Sequence, residues 1–246
     1  MYINWYGVSD IGISKDVNQD TILCDLHGTE HGDMGIFAVA DGVGGLERGE
    51  LASSVAIDTL RVWWDNAVSQ SQPEMILSET FASNIHQINV EISKYQYNMA
   101  TTLSSLLILR DKCFILHIGD SRIYHYRTGL ISTFKQITVD HALTVTSCDR
   151  NGEVFQRGML TDCLGKISKE GYYSAALTAK PNDIFFLCSD GICKTQSDKA
   201  IRNAVARNRR NTAEICRSLV NGAKKNGETD NVSAIAVRIL KKPLKK

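Results

Sequence analysis

The sequence is short of everything that staples, stiffens or anchors a chain. It has 3 prolines in 246 residues and no tract biased toward Gly, Ser or Pro, which excludes collagen-like and low-complexity chains. Its 7 cysteines are odd in number and none forms a C-x-x-C pair, so a zinc ribbon or thioredoxin-like motif is absent. Several lie in apolar stretches such as Lys112-Cys113-Phe114-Ile115-Leu116; they read as reduced core thiols, and a reducing cytoplasm fits. There is no charge excess: 28 Lys+Arg against 27 Asp+Glu leaves +1, which argues against a protein built to grip nucleic acid. Apolar runs such as Leu106 to Leu109 and Ile184 to Cys188 are too short to span a bilayer. Met1 to Tyr6 shows neither a basic nor an apolar leader region, so no signal peptide is expected. What remains is 43% hydrophobic and 22% charged, a chain able to bury its own core. The expectation is a single domain over residues 1–240, cytoplasmic and monomeric, ending in a solvated basic tail at 241–246.

Short segments bounded by turn residues predict strands at Ile3 to Ser9, Asp20 to Leu26 and Gly35 to Asp41. Two helical stripes follow: Ala52, Ala56, Leu60, Trp63 and Ala67, then Leu77, Phe81, Ile85, Ile88, Ile92 and Tyr95, spaced by three and four. Pro73 suits a first helical turn. Strands at Thr101 to Leu109, Cys113 to Gly119, Arg122 to Arg127 and Leu130 to Ile137 are joined by short turns and should form an antiparallel meander. Ser147 to Gly158 reads as a surface loop. Strands at Tyr172 to Ala179 and Asp183 to Cys188, helices at Asp198 to Arg207 and Thr212 to Lys224, and a strand at Val232 to Leu240 complete the chain. Helices grouped between groups of antiparallel strands mean α+β, with two sheets face to face and helices outside.

Five aspartates stand beside Gly or small polar residues: Asp20, Asp41, Asp120, Asp190 and Asp230. Asp41 and Asp190 end the runs Ile36 to Ala40 and Ile184 to Cys188. Carboxylates converging at buried strand ends repel and call for a cation. Oxygen donors without a His or Cys cluster select Mg²⁺ or Mn²⁺. Taken singly, Asp41-Gly42 and Asp190-Gly191 are also ordinary turn signals. The run Gly42-Val43-Gly44-Gly45 is a flexible turn or an anion-binding nest. It lacks a P-loop's Lys-Ser/Thr, and Asp41-x-Val43 is not the Asp-x-Asp of a phosphoaspartate-forming hydrolase.

In order and combination the segments resemble the protein phosphatase 2C family of metal-dependent (PPM) phosphatases, in its compact bacterial form. They are Ser9-Asp10-Ile11-Gly12 with Asn18-Gln19-Asp20; Val39 to Gly45; Ala100-Thr101-Thr102-Leu103; Ile118-Gly119-Asp120-Ser121-Arg122; Thr138-Val139-Asp140-His141; Leu160-Thr161 with Leu164-Gly165; Cys188-Ser189-Asp190-Gly191; and Thr229-Asp230-Asn231-Val232-Ser233. The resemblance implies a four-layer αββα sandwich and a protein-serine/threonine phosphatase opposing a Ser/Thr kinase. It implies two Mn²⁺ or Mg²⁺ ions held by Asp41, the Gly42 carbonyl, Asp190 and Asp230, with a metal-activated water as nucleophile. Gln19, Asp20 and Asp120 are implied as outer-sphere or third-metal groups.

Three positions depart from the family pattern. Lys15 stands where an arginine clamps substrate phosphate; it keeps the charge without the planar fork, or is a plain surface lysine. Val43 replaces a histidine of eukaryotic members. Lys194 replaces an aspartate that helps hold a third metal, so a third ion is doubtful and Asp120 is free to pair with Arg122 or Lys194. A lysine pointing to solvent is the alternative there. His141 and the pair Trp63 and Trp64 read as structural, and Cys193 as packed or, if exposed, redox-sensitive. A weakly active or non-catalytic phosphoprotein-binding member is the other functional reading.

Overall fold

The computed structural model describes residues 1–148, 154–166 and 171–242. A strand whose consecutive residues are all apolar must be covered on both faces, because alternate side chains point to opposite sides. β3 (Gly32–Asp41) shows this directly. Ile36, Ala38 and Ala40 join a core beneath helices, while Phe37 and Val39 join a core between sheets. β11 (Ile184–Cys188) and β12 (Val232–Leu240) divide their side chains in the same way.

One sheet therefore runs in the order β1 (Tyr2–Asp10), β12, β11, β6 (Arg122–Arg127) and β7 (Thr133–Gln136). The other runs β10 (Tyr173–Thr178), β5 (Lys112–Ile118), β4 (Leu103–Leu109), β3 and β2 (Asp20–Thr29). All neighbouring strands are antiparallel. Helices α1 (Gly49–Ser69), α2 (Glu74–Phe81) and α3 (Asn84–Ser93) cover the outer face of the second sheet. The short α4 (Asp190–Cys193), α5 (Asp198–Arg207) and α6 (Thr212–Lys225) cover that of the first. This is the expected α+β sandwich. The bounds of α5 and α6 match the sequence reading within one residue because each has a side-chain cap: Ser197 accepts from the Ala200 N–H, and Asn211 from the Glu214 N–H. No helix among the described residues is long and apolar enough to cross a membrane.

Four expectations need correction. The meander is split: β5 pairs with β4, but β6 belongs to the other sheet. The chain crosses over at Gly119, whose φ is +108°. The stretch 147–158 is not a loop but a hairpin of β8 (Ala142–Cys148) and β9 (Val154–Leu160), its tip lying outside the described residues. The second helical stripe spans two helices rather than one. Leu77, Phe81, Ile85, Ile88 and Ile92 remain buried, but Tyr95 lies past the end of α3 and is exposed. In α1 the buried tryptophan is Trp64, whose indole N–H donates to Asp25 (3.1 Å), while Trp63 is half-buried and donates to Thr80. Residues 243–246 of the basic tail lie outside the described residues.

A Cβ at Gly119 would sit 2.6 Å from the Thr102 Cβ at a positive φ. Gly119→Ala should therefore cost about 2 kcal/mol or more in a denaturant titration. Gly44→Ala, with open space around it, should stay within about 0.5 kcal/mol of the parent.

Candidate metal centre

The carboxylates meet because four strands end on the same side of the sandwich. Asp20 opens β2 and Asp41 closes β3, directly opposite in register. Asp190 follows β11, Asp230 precedes β12, and these two strands are neighbours in the facing sheet. Asp120 sits in the crossover between sheets. Asp41, Asp120, Asp190 and Asp230, with Gly42 and Lys194, line one cavity of about 600 Å³, and β9 forms part of its wall. A groove of about 670 Å³ between α1 and α3 is slightly larger, but no such set of carboxylates converges there.

Backbone contacts fix the ends of these strands. The Asp41 N–H donates to Thr102 Oγ1 (3.0 Å), and its carbonyl accepts from the Thr102 N–H (2.8 Å) and Thr101 Oγ1 (2.9 Å). Gly42 is obligatory: a Cβ there would lie 2.3 Å from the Gly49 carbonyl oxygen. Ser189 Oγ donates to Asp20 Oδ2 (2.8 Å) and accepts from the Ser233 N–H (2.9 Å), bridging the two sheets. Asn231 Oδ1 accepts from the Gln19 N–H (2.9 Å), while its Nδ2 donates to the Ile11 and Val17 carbonyls. That side chain organises the loop carrying Lys15.

The electrostatics are those of crowded like charge. Burial pushes Asp41 well above the usual carboxylate range, and repulsion from Asp20, Asp190, Asp120 and Asp230 adds to it. Burial lifts Asp20 to about 6, against hydrogen bonds from Ser233 and Ser189. Burial and then Asp190 lift Asp120 to about 7, against the charge of Lys194. Asp190 is also raised by burial, although Lys194 opposes the shift. Asp230 alone is lowered: burial acts upward, but Lys15 and Lys194 prevail. Lys15 Nζ lies 2.9 Å from Asp230 Oδ1. Lys194 Nζ lies 2.7 Å from Asp190 Oδ2 and 3.1 Å from Asp230 Oδ2. Five carboxylates against the two ammonium groups paired to them leave three negative charges without an ion-pair partner if all ionise.

The donor set suits a hard cation in kind. Asp20 Oδ1 and Asp190 Oδ1 are buried without a hydrogen-bond partner, and every candidate ligand is oxygen. Among the described residues no three carboxylate, imidazole or thiol groups are yet drawn close enough to enclose an ion. The two lysines stand on the carboxylates instead.

Other expected residues are placed as follows. Gln19 turns its side chain away from the cavity, against Gly49 and Glu50 at the start of α1. Lys194 is half-exposed, but its ammonium is engaged, and its ion pairs are to Asp190 and Asp230 rather than Asp120. Arg122 is bound by Asp140 (2.7 Å) and also faces Asp198 (3.6 Å), so among the described residues its ion pairs are with these two and not with Asp120. His141 accepts the Gly119 N–H (3.2 Å) and packs on His117. Sequence reasoning missed Ser189, Asn231, Glu228 and Lys166. Ser189 and Asn231 lie inside the motifs, but only their tertiary partners reveal what they do. Glu228 accepts the Thr229 and Asp230 N–H groups, and Lys166 joins the cavity lining with no motif to mark it.

With this geometry in hand, comparison with known proteins is specific. The sequence model of a family described as Protein phosphatase 2C matches residues 12–235. The protein phosphatase PhpP of Streptococcus pneumoniae is 28% identical over 247 aligned positions, covering 94% of this chain and 95% of that protein. The serine/threonine phosphatase stp of Listeria welshimeri is 27% identical over 217, covering 82% and 83%. The crystal structure of the PstP catalytic domain, a complex with two manganese ions, superposes with a TM-score of 0.73 at 24% identity over 97% of this chain and 98% of that one.

The raised carboxylates have a checkable consequence in metal-free protein. A carboxyl whose folded pKa exceeds its unfolded value of 3.8 stabilises the fold while protonated, and that contribution is lost as pH rises through the folded value. For Asp120 the window is about 4 to 7. In EDTA at pH 7, Asp120→Asn should melt several degrees above the parent, and the gap should close toward pH 4. An Asp120→Asn protein less stable than the parent at pH 7 would contradict this electrostatic account.

Proposed function

The chain belongs to the protein phosphatase 2C family, and on that footing we propose that it hydrolyses phosphoserine and phosphothreonine in proteins, opposing a Ser/Thr kinase, with Mn²⁺ or Mg²⁺ as cofactor. The observation that carries this reading is the meeting of Asp41, Asp190 and Asp230 at one cavity, with charge that the protein does not itself neutralise. Asp41, the Gly42 carbonyl, Asp190 and Asp230 would hold two divalent cations, which when bound supply an activated water and offset charge on the phosphate oxygens. A third ion is disfavoured by the Lys194 ammonium beside Asp190.

The chain's own residues do the rest. Asp41 is held at the cavity floor by Thr101 and Thr102. Lys166 and Lys194 line the cavity and Lys15 stands on Asp230; once cations offset the carboxylates, these ammonium groups would favour a phosphate dianion there. Val43 lines the cavity without a proton to give, so this chain has no imidazole at that point for the leaving group. No nucleophilic Ser or Cys is required.

The second reading, a feeble or non-catalytic phosphoprotein binder, is favoured by one observation: Lys15 and Lys194 both occupy carboxylates that the cations need. Hydrolysis of p-nitrophenyl phosphate with Mn²⁺ separates the two. Turnover that disappears in EDTA and falls at least about a hundredfold in Asp41→Asn supports the enzyme. Turnover that survives EDTA, or survives Asp41→Asn, overturns the metal mechanism. None in either condition favours the binder.

Two lysine variants refine the site. Lys15→Ala should raise KM for a phosphopeptide about tenfold, and Lys15→Arg should lower it, since guanidinium makes a two-bond fork to phosphate. In calorimetric Mn²⁺ titration the parent should show no third, weaker phase. Lys194→Asp should add one. Three resolved phases in the parent would refute the exclusion by Lys194.

A further inference from the structure

Cys188 is the last residue of β11 and Cys193 the last of α4, so their thiols straddle Asp190. The two sulfurs are 3.5 Å apart, only about 1.5 Å beyond a disulfide bond length. Cys188 is fully buried, whereas Cys193 is partly exposed. The Tyr124 hydroxyl lies 3.7 Å from the Cys193 sulfur, accepts a hydrogen bond from Arg122 (3.1 Å) and donates one to Asp198 (2.9 Å), so the outer thiol sits beside a polar, hydrogen-bonded network. Other described cysteines differ: Cys216 donates to the Tyr6 carbonyl and Cys163 points toward that of Lys166.

We propose that Cys188 and Cys193 form a dithiol oxidation site, which a hydroperoxide converts to a disulfide that shifts Asp190 out of the acidic cavity. The Cys193 sulfur attacks the peroxide. An S–O bond forms, the O–O bond breaks, and the departing oxygen leaves as water or alcohol with the thiol proton. The Cys188 sulfur then attacks the Cys193 sulfenic acid. The S–S bond forms, the S–OH bond breaks, and hydroxide leaves as water with the second thiol proton. Two thiols lose two electrons and one peroxide gains them.

The consequence for Asp190 follows from which side can yield. Cys188 is held in mid-sheet, paired with Ala234 on one side and Arg122 on the other. The adjustment therefore falls on α4, a single turn. That turn is wedged against the neighbouring loop: a Cβ on Gly191 would lie 2.2 Å from the Asn231 carbonyl oxygen. Drawing Cys193 inward rotates the segment that aims Asp190, with Lys194 attached to it. The thiol pair stands independently of the metal; its effect on cation binding rests on the function proposed above.

The test treats the whole protein with hydrogen peroxide and then examines tryptic peptides and Mn²⁺ binding. Residues 170–194 form one tryptic peptide whose only cysteines are these two. It should lose about 2 Da without any added oxygen and regain it with dithiothreitol. Mn²⁺ affinity measured by calorimetry should fall about tenfold or more on oxidation and recover on reduction. Cys193→Ser, or Cys188→Ala if that variant folds better, should keep its affinity through peroxide. A peptide that keeps both thiols, or that gains oxygen on Cys193 while Cys188 stays free, overturns the proposal. So does a disulfide that leaves Mn²⁺ affinity unchanged. Reduced parent protein that binds no Mn²⁺ would instead sink the metal reading, and the mass change alone would then decide the dithiol site.

Discussion

Carboxylates cannot be gathered at one end of a sandwich without positive charge to join them. Two of them about 4 Å apart repel by about 4 kcal/mol at an effective dielectric of 20, and this fold directs five toward one end. The strands deliver them as a consequence of the core. β3, β11 and β12 are apolar on both faces, so polar residues are confined to their ends. Ser189, Thr102 and Asn231 satisfy the backbone around those ends, yet oxygens of Asp20 and Asp190 stay without partners. The fold thus supports a site it does not neutralise.

Lys15 and Lys194 are this chain's own partial answer to that repulsion. By resting on Asp230 and Asp190 they lower the charge of the cavity and compete with any cation for the same oxygens. An ammonium is a point charge on a flexible stem, so it can withdraw where a fixed arginine fork would hold. Lys194 also couples the cation question to its neighbour in sequence, since the turn that carries it carries both Asp190 and Cys193.

Much of this was legible in the sequence, for identifiable reasons. Strands buried on both faces announce themselves as unbroken apolar runs, and α5 and α6 start at the caps Ser197 and Asn211, so their starts were readable. Asp41 and Asp190 were readable because each ends such a run, and Asp20, Asp120 and Asp230 because they stand in motifs beside glycine or small polar residues. The crossover at Gly119 was not, because a tight turn between two strands looks the same whether they pair or part into different sheets. The β8–β9 hairpin was missed because the polar residues 149–153 between its strands read as a surface loop and mask the alternation of Leu143 and Val145 with Thr144 and Thr146. The partners of Lys194 were beyond sequence reasoning: Asp190 is four residues away, but Asp230 is brought in only by the pairing of β11 with β12.

The central claim is that the cavity is a two-cation site from which Lys194 must withdraw. A crystal grown with Mn²⁺ tests it most directly. The account predicts two cations touching Asp41, one of them also held by Asp190 and Asp230, with the Lys194 ammonium moved off both carboxylates. Lys194 still seated 2.7 Å from Asp190, with no cation beside Asp41 at saturating Mn²⁺, would contradict it.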